Sequence, residues 1–158
     1  VTITPNTAFS DGTPLTATQA NAFPRGVMAV QSLATGQNTT STHTTFQDTG
    51  ATLTFTEESG RIYRITYSSN AYPNGGLQGM KYRILRGASN IRQFEIPSGA
   101  LSTANSWSFT YVIYYTSASS GSQTWKVQFG ALSSNTQVND YGASGQERLF
   151  FVEDIGAS

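Results

Sequence analysis

The stretch Ser106–Leu132, SWSFTYVIYYTSASSGSQTWKVQFGAL, decides the fold class. In its first half Trp107, Phe109, Tyr111, Ile113 and Tyr115 occupy every second position, with smaller residues between them. In its second half Trp125, Val127, Phe129 and Ala131 alternate with polar or small residues. Period two is the signature of a strand with one buried face, because successive side chains point to opposite sides of a sheet. The Ser/Gly-rich SASSGS between the halves reads as a turn. Two long strands with one apolar face each need a second layer to cover them.

The same pattern continues outward. Upstream, MKYRILRG places Met80, Tyr82 and Ile84 on one side and Lys81, Arg83 and Leu85 on the other, and IRQFEI follows a short turn. In RIYRITYSS, Tyr63, Ile65 and Tyr67 share a face with Arg61 in line at the strand's start. TFQDT, ATLTFTE and, near the front, VMAVQSLA read as further strands, and RLFFVEDI closes the chain. The polar run TGQNTTSTHTT, residues 35–45, reads as a loop. About nine short strands separated by Gly/Ser/Asn turns predict an antiparallel all-β sandwich or jelly roll. Helical crossovers are missing, which argues against a parallel α/β fold.

One segment departs from this rhythm. In FSDGTPLTATQANAFPRGV, Thr16-Ala17-Thr18-Gln19 fits a capping box, and Ala17, Ala20 and Ala22 favour helix. Pro24 disfavours helix at Phe23. A helix of about two turns is marginal alone in water, so it must lean on a neighbour. The division expected is an arm over residues 1–25 and a β-domain over 26–158.

The 158 residues suffice for one domain with a real core. Charged residues make up 11 % and cancel to a formal net charge of zero, so nothing in the balance points to nucleic acid. With no cysteine, a disulfide framework, a thiolate zinc site and a Cys nucleophile are excluded. No apolar run approaches the roughly 18 residues that span a bilayer, so no membrane partner is expected.

Candidate chemistry is thin. His43 is the one histidine and stands in a Thr-rich stretch, as a solvated loop residue would. GASGQ around Ser144 lacks the spacing and strand–turn–helix context of a nucleophile elbow. Glu57 and Glu58 adjoin, as do Glu153 and Asp154, so on strands each pair points to opposite faces. No catalytic, cofactor or metal site is expected. Six of the nine basic residues lie between Arg61 and Arg92 with no acidic residue among them. That run reads either as a solvated sheet face or as a contact for an acidic partner.

The order of motifs carries a resemblance. TFTEESGRIYRITYSS, MKYRILRGASNIRQFEI, the opening stretch and GASGQERLFFVEDI are similar, in that order, to the strands of complement globular-head/tumour-necrosis-factor-like jelly rolls. The ends resemble small minor tail and virion surface proteins of tailed bacteriophages. Asp11, Gly12, Leu15, Thr16, Ala17 and Asn21 match a DG-x-x-LTA-x-x-x-N front, and Val152 to Gly156 match a closing VEDIG. Pro14 and Ala20 depart from that front. The resemblance implies a non-enzymatic, homotrimeric virion protein on the surface of capsid or tail, without cofactors. Its partners would be other virion structural proteins, major capsid or tail proteins among them, and a host surface glycan. It further implies Tyr63, Tyr67, Phe129 and Phe151 at the trimer axis, with Leu15, Ala20 and Phe23 attaching the arm to the particle. The alternative is a carbohydrate-binding β-sandwich with Trp107 or Trp125 as a stacking platform.

Overall fold

The computed structural model describes residues 16–33, 36–40, 43–74, 79–97, 107–133, 137–142 and 147–158. Within them, ten strands form two antiparallel sheets. The first sheet holds β1 (Gly26–Leu33), β2 (Gly36–Thr40), β4 (Arg61–Asn74), β7 (Trp107–Thr116), β9 (Gln137–Gly142) and β10 (Arg148–Ala157). The second runs β3 (Gln47–Glu57), β8 (Gly121–Ala131), β5 (Met80–Arg86), β6 (Ser89–Ile96).

Strand β4 is the spine of the first sheet. Along one side it pairs with β7, from Ile62 opposite Thr116 to Ala71 opposite Trp107. Along the other it meets β10 first and β9 beyond it, so β9 and β10 act as one strand interrupted after Gly142. β1 and β2 lie on β10 and β9 in the same way. Counting each interrupted strand once gives four strands on four. The first then pairs with the eighth, the second with the seventh, the third with the sixth and the fourth with the fifth. That nested antiparallel pairing makes the fold a jelly roll.

The alternation read from the sequence fills the space between the sheets. Tyr63, Ile65, Tyr67, Met80, Tyr82, Ile84, Trp125, Val127, Phe129, Phe150 and Val152 are all buried. Tyr82 sits at the centre, its ring 4.9–6.2 Å from those of Phe109, Phe94, Tyr67 and Phe129. Aromatic pairs at such separations add about 0.5–1.5 kcal/mol each beyond the area they bury.

Three expectations are corrected. The polar run 35–45 contains strand β2, and its partner β9 has no apolar alternation to reveal it. Polar residues extend here because the ladder, not an apolar face, holds them. TFQDT and ATLTFTE form a single strand, β3, with a register shift between Asp48 and Thr52 where Gly50 takes φ 84°. A positive φ at this kink suits glycine, which lacks the Cβ that would clash. Trp107 does not share the inward packing of Ile113; it is 45 % exposed at the free end of β7. Among the described residues, strand β7 is a sheet edge with no further strand over its end.

The helix expected before Pro24 is present as α1 (Ala17–Asn21). The Thr16 hydroxyl accepts from the Gln19 N–H at 3.2 Å, and the Gln19 side chain accepts from the Thr16 N–H at 2.8 Å. This reciprocal pair satisfies two otherwise orphaned donors at the helix start.

Candidate functional site

Three ion pairs each have a carboxylate fully buried in the sandwich. At one end of the sandwich, Glu57 continues the inward phase of Ala51, Leu53 and Phe55 on β3. Its carboxylate accepts from Arg86 Nη2 at 3.0 Å, Ser117 Oγ at 2.6 Å and Trp125 Nε1 at 2.7 Å. In the interior, Asp140 accepts from Tyr67 Oη at 2.9 Å, from Ser69 Oγ and from Arg148 Nη1 at 2.7 Å. Arg148 Nη1 also donates to the Thr49 carbonyl at 2.8 Å, which ties β3 of the second sheet to the first. Burial pushes the Asp140 carboxyl above its ordinary pKa, opposed by the bonds from Ser69, Arg148 and Tyr67. Burial also raises the Tyr67 and Tyr82 phenols well above theirs, so both stay protonated and donate.

The third pair anchors the arm. Arg61 forks onto Asp154, with Nε to Oδ2 at 2.8 Å and Nη2 to Oδ1 at 2.6 Å. Its remaining donors reach the carbonyls of Asn21 and Phe23, at the end of α1. The Ala157 N–H donates to the Ala22 carbonyl at 3.3 Å, and Arg25 pairs with Glu58 at the surface. The segment around Pro24 is thus held on the β-domain by Arg61 and by the last strand. Of the expected attachment residues, Ala20 is exposed and Phe23 is 42 % exposed, while Leu15 lies outside the described residues.

The expected trimer-axis residues divide differently. Tyr63, Tyr67 and Phe129 are 0 % exposed inside the protomer's own core and have no surface left for another subunit. Their inward phase on the strands, which suggested the axis, is used by the sandwich itself. Phe151 points the other way and is half-buried on the outer face of the first sheet. There it lies in a row across four strands, Val30–Phe151–Thr66–Val112. The next row is Val27–Glu153–Arg64–Tyr114, in which Arg64 and Glu153 pair with each other. Val27 and Val30 are each 61 % exposed, and Tyr114 is 55 % exposed.

The outer face of the second sheet is polar throughout its middle. One row crosses all four strands as Asp48–Gln128–Arg83–Gln93. Gln128 donates to Asp48 at 2.6 Å and accepts from Arg83 Nε at 2.8 Å. Phe46 lies under Arg83, whose guanidinium is 4.2 Å from the ring centroid, and Lys81 is 5.0 Å from the same ring. Thr54 and Thr124 pair through their hydroxyls at 2.9 Å.

The basic run Arg61–Arg92 does not form one patch. Arg61, Arg64 and Arg86 meet Asp154, Glu153 and Glu57, carboxylates contributed by β10 and β3. His43 is exposed in a bend, with its carbonyl accepting from Lys81. Trp125 is fully buried with its N–H on Glu57, so it offers no stacking platform. Among the described residues, no three His, Cys, Asp or Glu side chains converge as a metal site would require. No family model matches the chain, and no curated protein shows significant similarity to it.

Proposed function

We propose that the chain is a non-enzymatic structural component of a tailed-phage virion, assembling as a trimer of jelly rolls on the surface of capsid or tail. The observation that carries the assembly reading is the Val30–Phe151–Val112 row with Tyr114 and Val27 beside it. Exposed apolar groups gathered on one sheet face mark an interaction surface. Among the described residues, strand β7 adds a second surface, an unpaired edge ten residues long without a charged residue and with five aromatic rings. Free edges are normally blunted with charges or proline, and this one is not. An edge on one protomer meeting a face on the next is a heterologous contact, the kind that closes into rings. The resemblance of both ends of the chain to phage virion proteins supports the place of that trimer.

The arm fits the attachment role. Arg61 and Asp154 hold the end of α1 on the body, and Phe23 stays exposed beside it. The test mixes the protein with source particles stripped of it and measures recovery by co-sedimentation. Wild type is recovered with the particles, and Phe23→Ala is recovered several-fold less, since burying a Phe is worth about 1.5–3 kcal/mol. Failure of the wild type to sediment with any such particle would contradict the proposal.

A further inference from the structure

The outer face of the first sheet changes character along β4. Beyond the apolar rows, Leu149–Ser68–Thr110 and then Tyr141–Asn70–Ser108 cross the strands. Here a groove of about 270 Å³ opens, lined by Ser68, Ser69, Asn70, Ser108, Thr110 and Glu147, with Phe109 on its wall. Its described lining contains hydroxyls, one amide and one carboxylate, and no cation.

We propose that this groove binds a neutral saccharide. The hydroxyls are arranged in pairs: Ser68 Oγ lies 2.8 Å from Thr110 Oγ1, and Ser108 Oγ donates to Asn70 Oδ1. In the Ser68–Thr110 pair only one proton is spent between the two oxygens, so one proton and three lone pairs remain for a ligand. Glu147 is exposed at the rim, its Oε2 accepting from Ser32 Oγ. A carboxylate accepts only, so it selects a ligand that donates, and with no cation in the described lining it repels an anionic one. A sugar ring, with several adjacent hydroxyls that both donate and accept, meets that set. The volume is at the small end for ligand sites and suits a single ring. The groove lies off the Val30–Phe151–Val112 row, but Ser108, Phe109 and Thr110 belong to strand β7, so the variants that test it are placed on Ser68 and Glu147, outside that edge.

The test titrates the intact protein with glucose, galactose, mannose, N-acetylglucosamine, lactose and maltose, with sialic acid as the anionic control. Binding is followed by saturation-transfer NMR and calorimetry, and oligomeric state is read on the same samples. At least one neutral sugar is expected to bind. Ser68→Ala weakens it by about tenfold and Glu147→Gln by several-fold, in line with one or two lost hydrogen bonds. Melting temperature and oligomeric state are unchanged in both variants. Glu147→Lys shifts preference toward sialic acid. The proposal is overturned if no sugar in the panel saturates. It is equally overturned if sialic acid binds the wild type as well as the neutral sugars do, or if bound sugar is indifferent to all three variants. None of these results depends on the virion assignment, which the co-sedimentation experiment tests separately.

Discussion

The outer faces of the two sheets belong to one eight-strand frame, yet they are finished in opposite ways. Across β3, β8, β5 and β6 the row Asp48–Gln128–Arg83–Gln93 is linked by hydrogen bonds from Asp48 to Arg83, and Phe46 is roofed by Arg83 and Lys81. Its polar groups are partnered within the face. Across β1, β10, β4 and β7 the equivalent position is held by Val30, Phe151, Thr66 and Val112, and the charged pair beside them, Arg64–Glu153, is spent on itself. A face of the first kind loses little by remaining in water. A face of the second kind gains by being covered. In the proposed assembly the first sheet is therefore the face that meets another subunit and the second the face left to solvent.

The largest effect expected lies beneath both faces. Asp140→Ala leaves Arg148 buried without its carboxylate, and losing one partner of a buried ion pair costs about 3–5 kcal/mol. Chemical denaturation should show a much lower midpoint, with both faces lost in one transition. A variant that unfolds in two steps would mean the sheets do not share one frame.

A smaller loss is expected from removing the arm. Without residues 1–25, Arg61 keeps Asp154 but loses the carbonyls of Asn21 and Phe23, each bond to a charged group being worth about 1.5–3 kcal/mol. Solvent replaces part of this, so the truncated β-domain should melt several degrees lower and still assemble through Val30 and Val112. Truncated protein that is monomeric would transfer the assembly role from the sheet face to the arm.

The polar face is more tolerant. Phe46→Ala removes the half-buried ring under Arg83 and Lys81, a loss of about 1 kcal/mol, with oligomeric state unchanged. Dissociation of the assembly by this variant would place the interface on the wrong sheet.

The pH response of Asp140 has a defined sign. Its folded pKa is raised, chiefly by burial, so the folded state holds its proton over a pH range just above the ordinary value where the unfolded chain has lost it. Stability from this group is therefore full at acid pH and falls as pH rises through that range. In urea titrations the advantage of wild type over Asp140→Asn should shrink as pH increases from about 4, the ordinary Asp value. An advantage that grows with pH would show the pair with Arg148 outweighing burial.

Much of the fold was legible because apolar alternation reports which face is inward. Tyr63, Tyr82, Trp125 and their neighbours are buried where period two puts them, and the capping box at Thr16 and Gln19 forms as written. Strands β2 and β9 were not legible, since Asn139 and Asp140 are buried polar residues and leave no apolar rhythm to read. The ion pairs had a signal of another kind. Glu57, Arg61, Arg148 and Asp154 each stand in the inward phase of an apolar run, yet Glu57 finds its partner 29 residues away and Arg61 and Asp154 find each other across 93, while Arg148 meets Asp140 from the neighbouring β9 segment. Periodicity gives the face of a residue and says nothing of its partner. The same limit explains Tyr63, Tyr67 and Phe129, because an inward aromatic position fits a protomer core as well as a subunit axis. Trp107 was misplaced because alternation does not show which strand is an edge.

The central claim is that the Val30–Phe151–Val112 face holds the assembly together. Light scattering coupled to size-exclusion chromatography tests it on three samples at micromolar concentration. These are the wild type, Val30→Lys with Val112→Lys on the first sheet, and Thr54→Lys with Thr124→Lys on the second. The account predicts a trimer for the wild type and for the second-sheet variant. It predicts a folded monomer for the first-sheet variant, because two lysines would be desolvated at the contact. A monomeric wild type, or a first-sheet variant that remains trimeric, would contradict it.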